Sequence, residues 1–414
     1  MYKSILKLSI VVMGIAIFVG YIGFNLYILL SIATGLAILA CVIKRKRIAD
    51  IKISRNDIIW IICIMISIIC STYSMDLSGS INFTFMLFCC WILKIVYQNS
   101  EIEFLEYIEK TFLFFSAIHV VITLLYLIIP NSVLALCTTI LPSSLLSTSM
   151  ELYNNNAIPG IAGQTGTNAY FISIFLAIQF CEFLSKHKRK NLIFFLLGLV
   201  ALFLTAKRGL LVANIISIMA IIIINLKNNK KVLKNTIVCS IVLFVVYFVV
   251  VNTASNNPTI QKFVNLGETD DITNGRSDLW NASIDVFKEN KLMGVGMNAT
   301  YKIIGDATHN IYIQLLSDSG IIGGITFYCA FIYSIIVAIK SIKYRNKENK
   351  YDKGESIQLI GIYIQLLFLI YGFSGNPLYS TIFITPYMMS LAFIEYFINS
   401  KKGEKNEERN FNIS

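Results

Sequence analysis

The sequence predicts an all-α, polytopic integral membrane protein of about twelve transmembrane helices, with a large extracytoplasmic loop that carries short amphipathic helices. Three observations lead there. Of the 414 residues, 56% are hydrophobic and 14% charged, where a soluble chain is about 25% charged; mean hydropathy is +0.68. Apolar runs of roughly 17–22 residues, each long enough to cross a bilayer, recur from end to end. Lys and Arg gather in short segments between those runs, all on one side if both termini are cytoplasmic.

The first two spans are expected at 5–23 and 26–43, closed by Lys44-Arg45-Lys46-Arg47. The first looks like a leader but has no clear small-residue cleavage site, so it is read as an uncleaved span. Spans at 57–73, 81–97 and 111–130 follow; the last holds His119, read as a neutral histidine bonded to a neighbouring helix. The span at 167–184 ends in the basic loop KHKRK, residues 186–190, where His187 is solvated. Spans at 191–206 and 209–226 meet in a tight turn, and Lys227, Lys230, Lys231 and Lys234 come after them. Spans at 235–251, 319–339, 357–374 and 378–398 complete the set, with basic segments at 340–353 and from Lys401. The chain reads as one membrane domain, 1–400, and a cytoplasmic tail, 401–414.

Two segments on the outer face, 131–166 and 252–318, are far longer than a hairpin connection requires. Extra polar sequence on one face marks a candidate functional surface. The net charge of +11 follows from the positive-inside pattern, and no basic patch interleaved with stacking aromatics suggests a nucleic-acid partner. Membrane lipid is the expected environment. Of the nine cysteines, Cys63, Cys70, Cys89, Cys90, Cys181, Cys239 and Cys329 lie in apolar runs, and none has zinc-ligand spacing.

Three constellations could carry chemistry. In LTAKRGLLVAN, Lys207 and Arg208 sit at the tight turn, on the outer face and against the charge trend. They are either a snorkelling pair or an anion site, for which an Arg fork suits phosphate oxygens. In NGRSDLWNASIDVFKENKLMGVGMN, Arg276 precedes a helical pattern of Leu279, Trp280, Ile284 and Phe287 that Ser277 and Asp278 can cap. Such a helix would lie along the membrane with Trp280 toward lipid, and Arg276 at its start favours an anion. In DATHNIYIQLLSDSGIIGG, His309 lies between Asp306 and Asp318, either of which could orient the imidazole. Gly320, Gly323 and Gly324 offer a small face for close helix approach.

Together these stretches resemble the O-antigen ligase and polymerase superfamily of polysaccharide assembly proteins. The likeness rests on an Arg-Gly junction at Arg208, on G-R-x-x-x-W with G-x-G after it, and on T-H-N-x5-L-x3-G-x2-G, which links His309, Asn310, Leu316, Gly320 and Gly323. GIAGQTGTNAYF, 160–171, is similar to the stretch that opens a middle span in that family. The family often has Ser where this chain has Lys207. The resemblance implies a multispan glycosyltransferase at the outer face of a bacterial cytoplasmic (inner) membrane, needing no metal or other cofactor. Its donor would be an oligosaccharide on undecaprenyl pyrophosphate. It implies Arg208, Arg276 and Lys207 as pyrophosphate-binding, His309 as the base that activates an acceptor hydroxyl, and Asn310, Asp306 and Gly320 as supporting residues. A repeat-unit polymerase of O-antigen, capsule or exopolysaccharide is the leading expectation, with a chain-length regulator as an expected partner. The alternatives are a ligase delivering the glycan to lipid A core and, from another class, a flippase or other twelve-span transporter. Against transport, KRKRIADIKISRN lacks the glycine expected after span two of a major-facilitator carrier, and the polar groups collect in outer loops.

Overall fold

Helix starts are set by side chains that take the first, otherwise unpaired, amides. Asn25 Oδ1 accepts from the amides of Tyr27 at 3.0 Å and Ile28 at 3.3 Å. Ser54 and Asp57 form a reciprocal capping box: the Asp57 amide reaches Ser54 Oγ at 3.2 Å, and the Ser54 amide reaches Asp57 Oδ2 at 2.7 Å. Pro130 starts a short helix at a position that needs no N–H donor.

The computed structural model describes residues 1–44, 51–226, 276–342 and 354–411, with side chains to residue 399. In chain order the helices are α1 (Tyr2–Phe18), α2 (Leu26–Ile43), α3 (Arg55–Thr72), α4 (Leu77–Gln98), α5 (Ile102–Leu125), α6 (Pro130–Ile140), α7 (Ser143–Asn154) and α8 (Thr165–Lys186). They continue with α9 (Arg189–Leu204), α10 (Arg208–Leu226), α11 (Arg276–Glu289), α12 (Ala299–Ile304), α13 (Ile311–Ile342), α14 (Gly354–Tyr371) and α15 (Thr381–Phe411). No strand occurs among the described residues.

Among those residues nine helices are long and apolar enough to cross a membrane: α2, α3, α4, α5, α8, α10, α13, α14 and α15. Helices α1 and α9 match expected spans but are 17 and 16 residues long. The expected span at 235–251 lies outside the described residues, as does the first part of the 252–318 loop. Helix α15 continues as far as Phe411, into the segment expected as a cytoplasmic tail.

The chain divides into two compact units: Met1–Gly20, Phe24–Thr111 and Arg276–Ser414 form the first, and Tyr21–Gly23 with Phe112–Gly275 the second. In the first unit α4 packs against α2, α3 and α15, while α13 packs against α3, α11 and α14. Its centre is aromatic. Trp60 is fully buried and meets Phe327, Phe331 and Tyr387 edge-on at 6.3, 5.9 and 6.0 Å. Phe368 stacks on Tyr387 at 4.2 Å. Between membrane helices such interlocking supplies the packing attraction that apolar transfer cannot.

At one end of this unit lies a buried charged cluster. Lys94 donates to Asp57 Oδ1, and both side chains are wholly buried. Gln98 Nε2 donates to Asp57 Oδ2 at 2.8 Å, and Ser54 Oγ donates to Glu395 Oε1 at 3.0 Å. Helices α3, α4 and α15 are thereby joined. Lys94→Met leaves the Asp57 carboxylate buried without its cation, and is expected to destabilise the protein by about 3–5 kcal/mol. Thermal unfolding in detergent measures this; a variant that melts with the wild type would show that the pair contributes nothing net.

In the second unit the buried helix α8 packs on α9 and α10. Asn214 Nδ2 donates to Ser173 Oγ at 2.7 Å, and Asn168 Nδ2 to Thr123 Oγ1 at 2.9 Å. His119 is buried with its ring 4.4 Å from that of Phe171. The long 131–166 segment is filled by α6, α7 and a 3-10 turn at Gly160–Ala162. Tyr126, Val133, Cys137, Leu141 and Ile158 pack together there.

Candidate functional site

Helix α11 begins at Arg276. Ser277 and Asp278 lie within its first described turn, where an acid suits the positive end of a helix. Trp280 is half-buried. The helix is fixed to α13 through Ser283, its fully buried residue. Ser317 Oγ donates to the Ser283 carbonyl at 2.7 Å, and the Ser283 and Thr308 hydroxyls are 2.9 Å apart. One serine thus ties the Arg276 helix to the residue before His309.

Gly320 does more than provide a small helix face. At φ +62° and ψ −165° it breaks α13 in two. The break is filled by the segment before α12. The amides of Val295 and Gly296 donate to the carbonyls of Ser317 (3.1 Å) and Asp318 (2.9 Å). The amide of Ile321 donates to the Lys291 carbonyl at 2.8 Å. Backbone groups freed by the kink are paired within the protein, as a break near lipid requires. The G-x-G following Arg276 serves this close approach: a Cβ on Gly294 would lie 2.4 Å from the Asp318 carbonyl carbon. Gly323 keeps the expected small-face role, with Ile66 of α3 beside it.

The two acids flanking His309 differ in burial and in the amides they accept from. Asp306 is exposed, and its Oδ1 accepts from the Ala307 amide at 2.6 Å. Asp318 is fully buried; its carboxylate accepts from the amides of Asn298 and Thr300, both at 2.9 Å, at the start of α12. His309 itself is half-buried and sits at φ +54°. Asn310 caps α13, its Oδ1 accepting from the Tyr312 amide at 3.0 Å and the Ile313 amide at 3.3 Å. The Ile311 amide donates to the Gly372 carbonyl at 2.9 Å.

That last bond brings in the turn between α14 and α15, which the sequence did not single out. Arg276 Nη1 donates to the Ser374 carbonyl at 3.2 Å. Asn376 Nδ2 donates to Gln314 Oε1 at 2.5 Å. Burial, and then the nearby Asp318, push the Tyr379 hydroxyl well above the usual phenol range. The turn between α3 and α4 and the start of α4 also contribute: Tyr73 donates to the Met293 carbonyl at 2.6 Å, and Ser80 Oγ to that of Met297 at 2.6 Å. Gly, Ser, Asn and Pro in GFSGNP mark a turn, but nothing local marks its partners.

Arg276, Asp306, His309, Asn310 and Gly320 thus belong to the first unit, whereas Lys207 and Arg208 belong to the second. Helix α9 ends at Leu204, and α10 starts at Arg208 itself. Between them Thr205 is buried and accepts from the Lys207 amide at 3.4 Å, while Ala206 adopts φ +56°. The Ile158 amide donates to the Leu204 carbonyl at 3.0 Å, so the segment leading to the Gly160 turn adjoins this junction. Lys207 and Arg208 are both half-buried at the turn.

A family model, Wzy_C, described as O-antigen ligase, matches residues 193–328. Lys207, Arg208, Arg276, Asp306, His309, Asn310 and Gly320 all fall inside the match. No curated protein matches the chain.

Proposed function

We propose, from the match of residues 193–328 to the O-antigen ligase family model, that the chain is a polymerase of lipid-linked oligosaccharide repeat units. It moves the glycan from undecaprenyl pyrophosphate to the end of another lipid-linked unit. The reaction takes place at the outer face of the bacterial cytoplasmic membrane, with both termini cytoplasmic. The observation that carries the reading is the setting of His309. A left-handed backbone costs a residue with a Cβ about 1–2 kcal/mol, and such strain collects at functional sites. Here it is maintained at φ +54° by bonds at Thr308, Asn310 and Ile311 on either side.

The chemistry is a single displacement. The acceptor oxygen forms a bond to the anomeric carbon, the bond from that carbon to the pyrophosphate oxygen breaks, and the pyrophosphate leaves with the electron pair. The hydroxyl proton passes to the His309 imidazole, a base suited to neutral pH. Attack from the opposite face inverts the anomeric centre. Arg276 faces the growing charge of the leaving group, where a fixed cation lowers the barrier. Arg208 and Lys207 keep the pyrophosphate-binding role that the family likeness suggests. Asn310 supports the imidazole by fixing the start of α13.

Arg276→Ala is expected to lower the transfer rate about 100-fold or more. Arg276→Lys should recover little, since a point charge replaces a fork that also donates to Ser374. Single-turnover rates on a lipid-linked donor would measure both, and a lysine variant at the wild-type rate would reject the fork.

The glycan profile of a deletion strain tests the reading as a whole. Loss of polymerisation leaves single repeat units joined to their final acceptor. Long chains retained on the polyprenyl carrier would identify a ligase instead. Purified protein that builds polymer in detergent, with no closed membrane, would exclude transport as its sole activity.

A further inference from the structure

From three bonds spaced along one turn we infer that Asn376 and Gln314 are positioning residues for transfer, acting through the Arg276 guanidinium. The turn between α14 and α15 is attached to the site at every second residue. The Gly372 carbonyl accepts the Ile311 amide at 2.9 Å, two residues beyond His309. The Ser374 carbonyl accepts Arg276 Nη1 at 3.2 Å. Asn376 Nδ2 donates to Gln314 Oε1 at 2.5 Å. The first two attachments use main-chain carbonyls of the turn. The third joins two side chains, so residue identity controls it. All of these residues belong to the first unit.

The direction of the third bond is set from inside the protein. Asp318 is fully buried, and its carboxylate accepts the Asn298 and Thr300 amides. Gln314 is buried too and turns its Nε2 toward the same carboxylate, 3.4 Å from Oδ2. An accepting carboxylate takes the nitrogen end of a side-chain amide, which leaves the Gln314 oxygen for the turn. That oxygen only accepts, so it selects a donor there. Asn376 supplies one. Asparagine ahead of a helical turn is a favoured cap, through its own side-chain oxygen. Asn376 precedes the 3-10 turn Pro377–Tyr379 yet makes no cap bond; its amide is committed to Gln314 instead. A chain of bonds thus runs from Asp318 through Gln314 to Asn376, two residues from the carbonyl that holds Arg276. A cation lowers a barrier when it is fixed where charge develops, and a misplacement of about 1 Å can cost on the order of 100-fold in rate. The inference rests on the role proposed for Arg276. It extends the site beyond the family match, since Ser374 and Asn376 lie outside residues 193–328.

The test is a double-mutant cycle on full-length protein in detergent, read as kcat and KM for the lipid-linked donor. Asn376→Leu and Gln314→Met are close in size to the residues they replace, and each removes the bond from one side. Each is expected to lower kcat about tenfold with little change in KM. In an Arg276→Ala background neither should lower the rate further, because the group they align is gone. A merely structural loss would multiply with that of Arg276→Ala, and this overturns the inference. So does a wild-type kcat in both single variants. Where one variant does not fold, the other carries the cycle from the opposite side of the bond. The acid limb of the pH–rate profile, assigned to His309, should stay in place; a limb that moves puts the effect on the histidine and overturns the assignment to Arg276. A large Arg276→Ala effect with no coupling to Asn376 sinks the link and spares the polymerase reading. A protein that joins no glycans removes the polymerase reading, and the cycle is then read on affinity for inorganic pyrophosphate. Weakening by Asn376→Leu that disappears in Arg276→Ala supports the link there, and independent weakening overturns it.

Discussion

His309→Ala is expected to lower glycan transfer by about 10²–10⁴-fold, the contribution of a positioned general base, at a normal protein level. Loss of activity alone would not separate a base from a structural residue. The backbone provides the separation. At φ +54° the native histidine is strained, and glycine adopts that conformation freely. His309→Gly should therefore be as inactive as the alanine variant yet melt at least as high as it does. A residue kept for stability would show the opposite order. Transfer assays on purified protein, with melting temperatures of both variants, decide the matter. Full activity in His309→Ala would remove the histidine from the mechanism.

Gly320→Ala is expected to be strongly destabilising. The native φ +62° and ψ −165° belong to a region that is essentially glycine's alone, at about 1–3 kcal/mol for any other residue. The new Cβ would also stand 2.3 Å from the carbonyl carbon of Leu292. That atom cannot retreat cheaply, because the neighbouring Lys291 carbonyl is bound by the Ile321 amide. The sum is about 3 kcal/mol or more. Gly305→Ala is the matched control: φ is +79°, but nothing lies within 4 Å of the added Cβ. It should cost only the left-handed term, about 1–2 kcal/mol. Detergent melting curves would compare the pair, and equal losses would mean that the inserted segment is not held tightly against the break.

Features governed by neighbours in sequence were legible. The α2 boundaries, 26–43, are those of its apolar run, with Asn25 as the cap. Asn310 beside His309 is both a motif residue and a helix cap. Features governed by distant partners were not. Gly320 resembles its neighbours Gly323 and Gly324 in sequence; only the approach of Leu292 reveals that it breaks the helix. Asp318 stands nine residues from His309 in sequence, and nothing local discloses that two amides of another segment donate to its carboxylate. Lys94 sits in an apolar run with no local sign of Asp57, 37 residues away. Gly372 and Ser374 act through main-chain carbonyls, which any residue possesses, so side-chain identity could not disclose them.

The turn between α14 and α15 sets an order of assembly. Arg276 finds its carbonyl partner 98 residues downstream, and the Ile311 amide finds its own at Gly372. During synthesis both partners emerge after His309 has already left the ribosome. Contacts that close such long loops form late. A chain halted before α14 contains the whole family-matched segment and still lacks the two bonds that brace Arg276 and the start of α13. The bonds that brace Arg276 and the start of α13 therefore arrive with the last helices to be inserted, and a truncated product left in the membrane carries Arg276 and His309 without that brace.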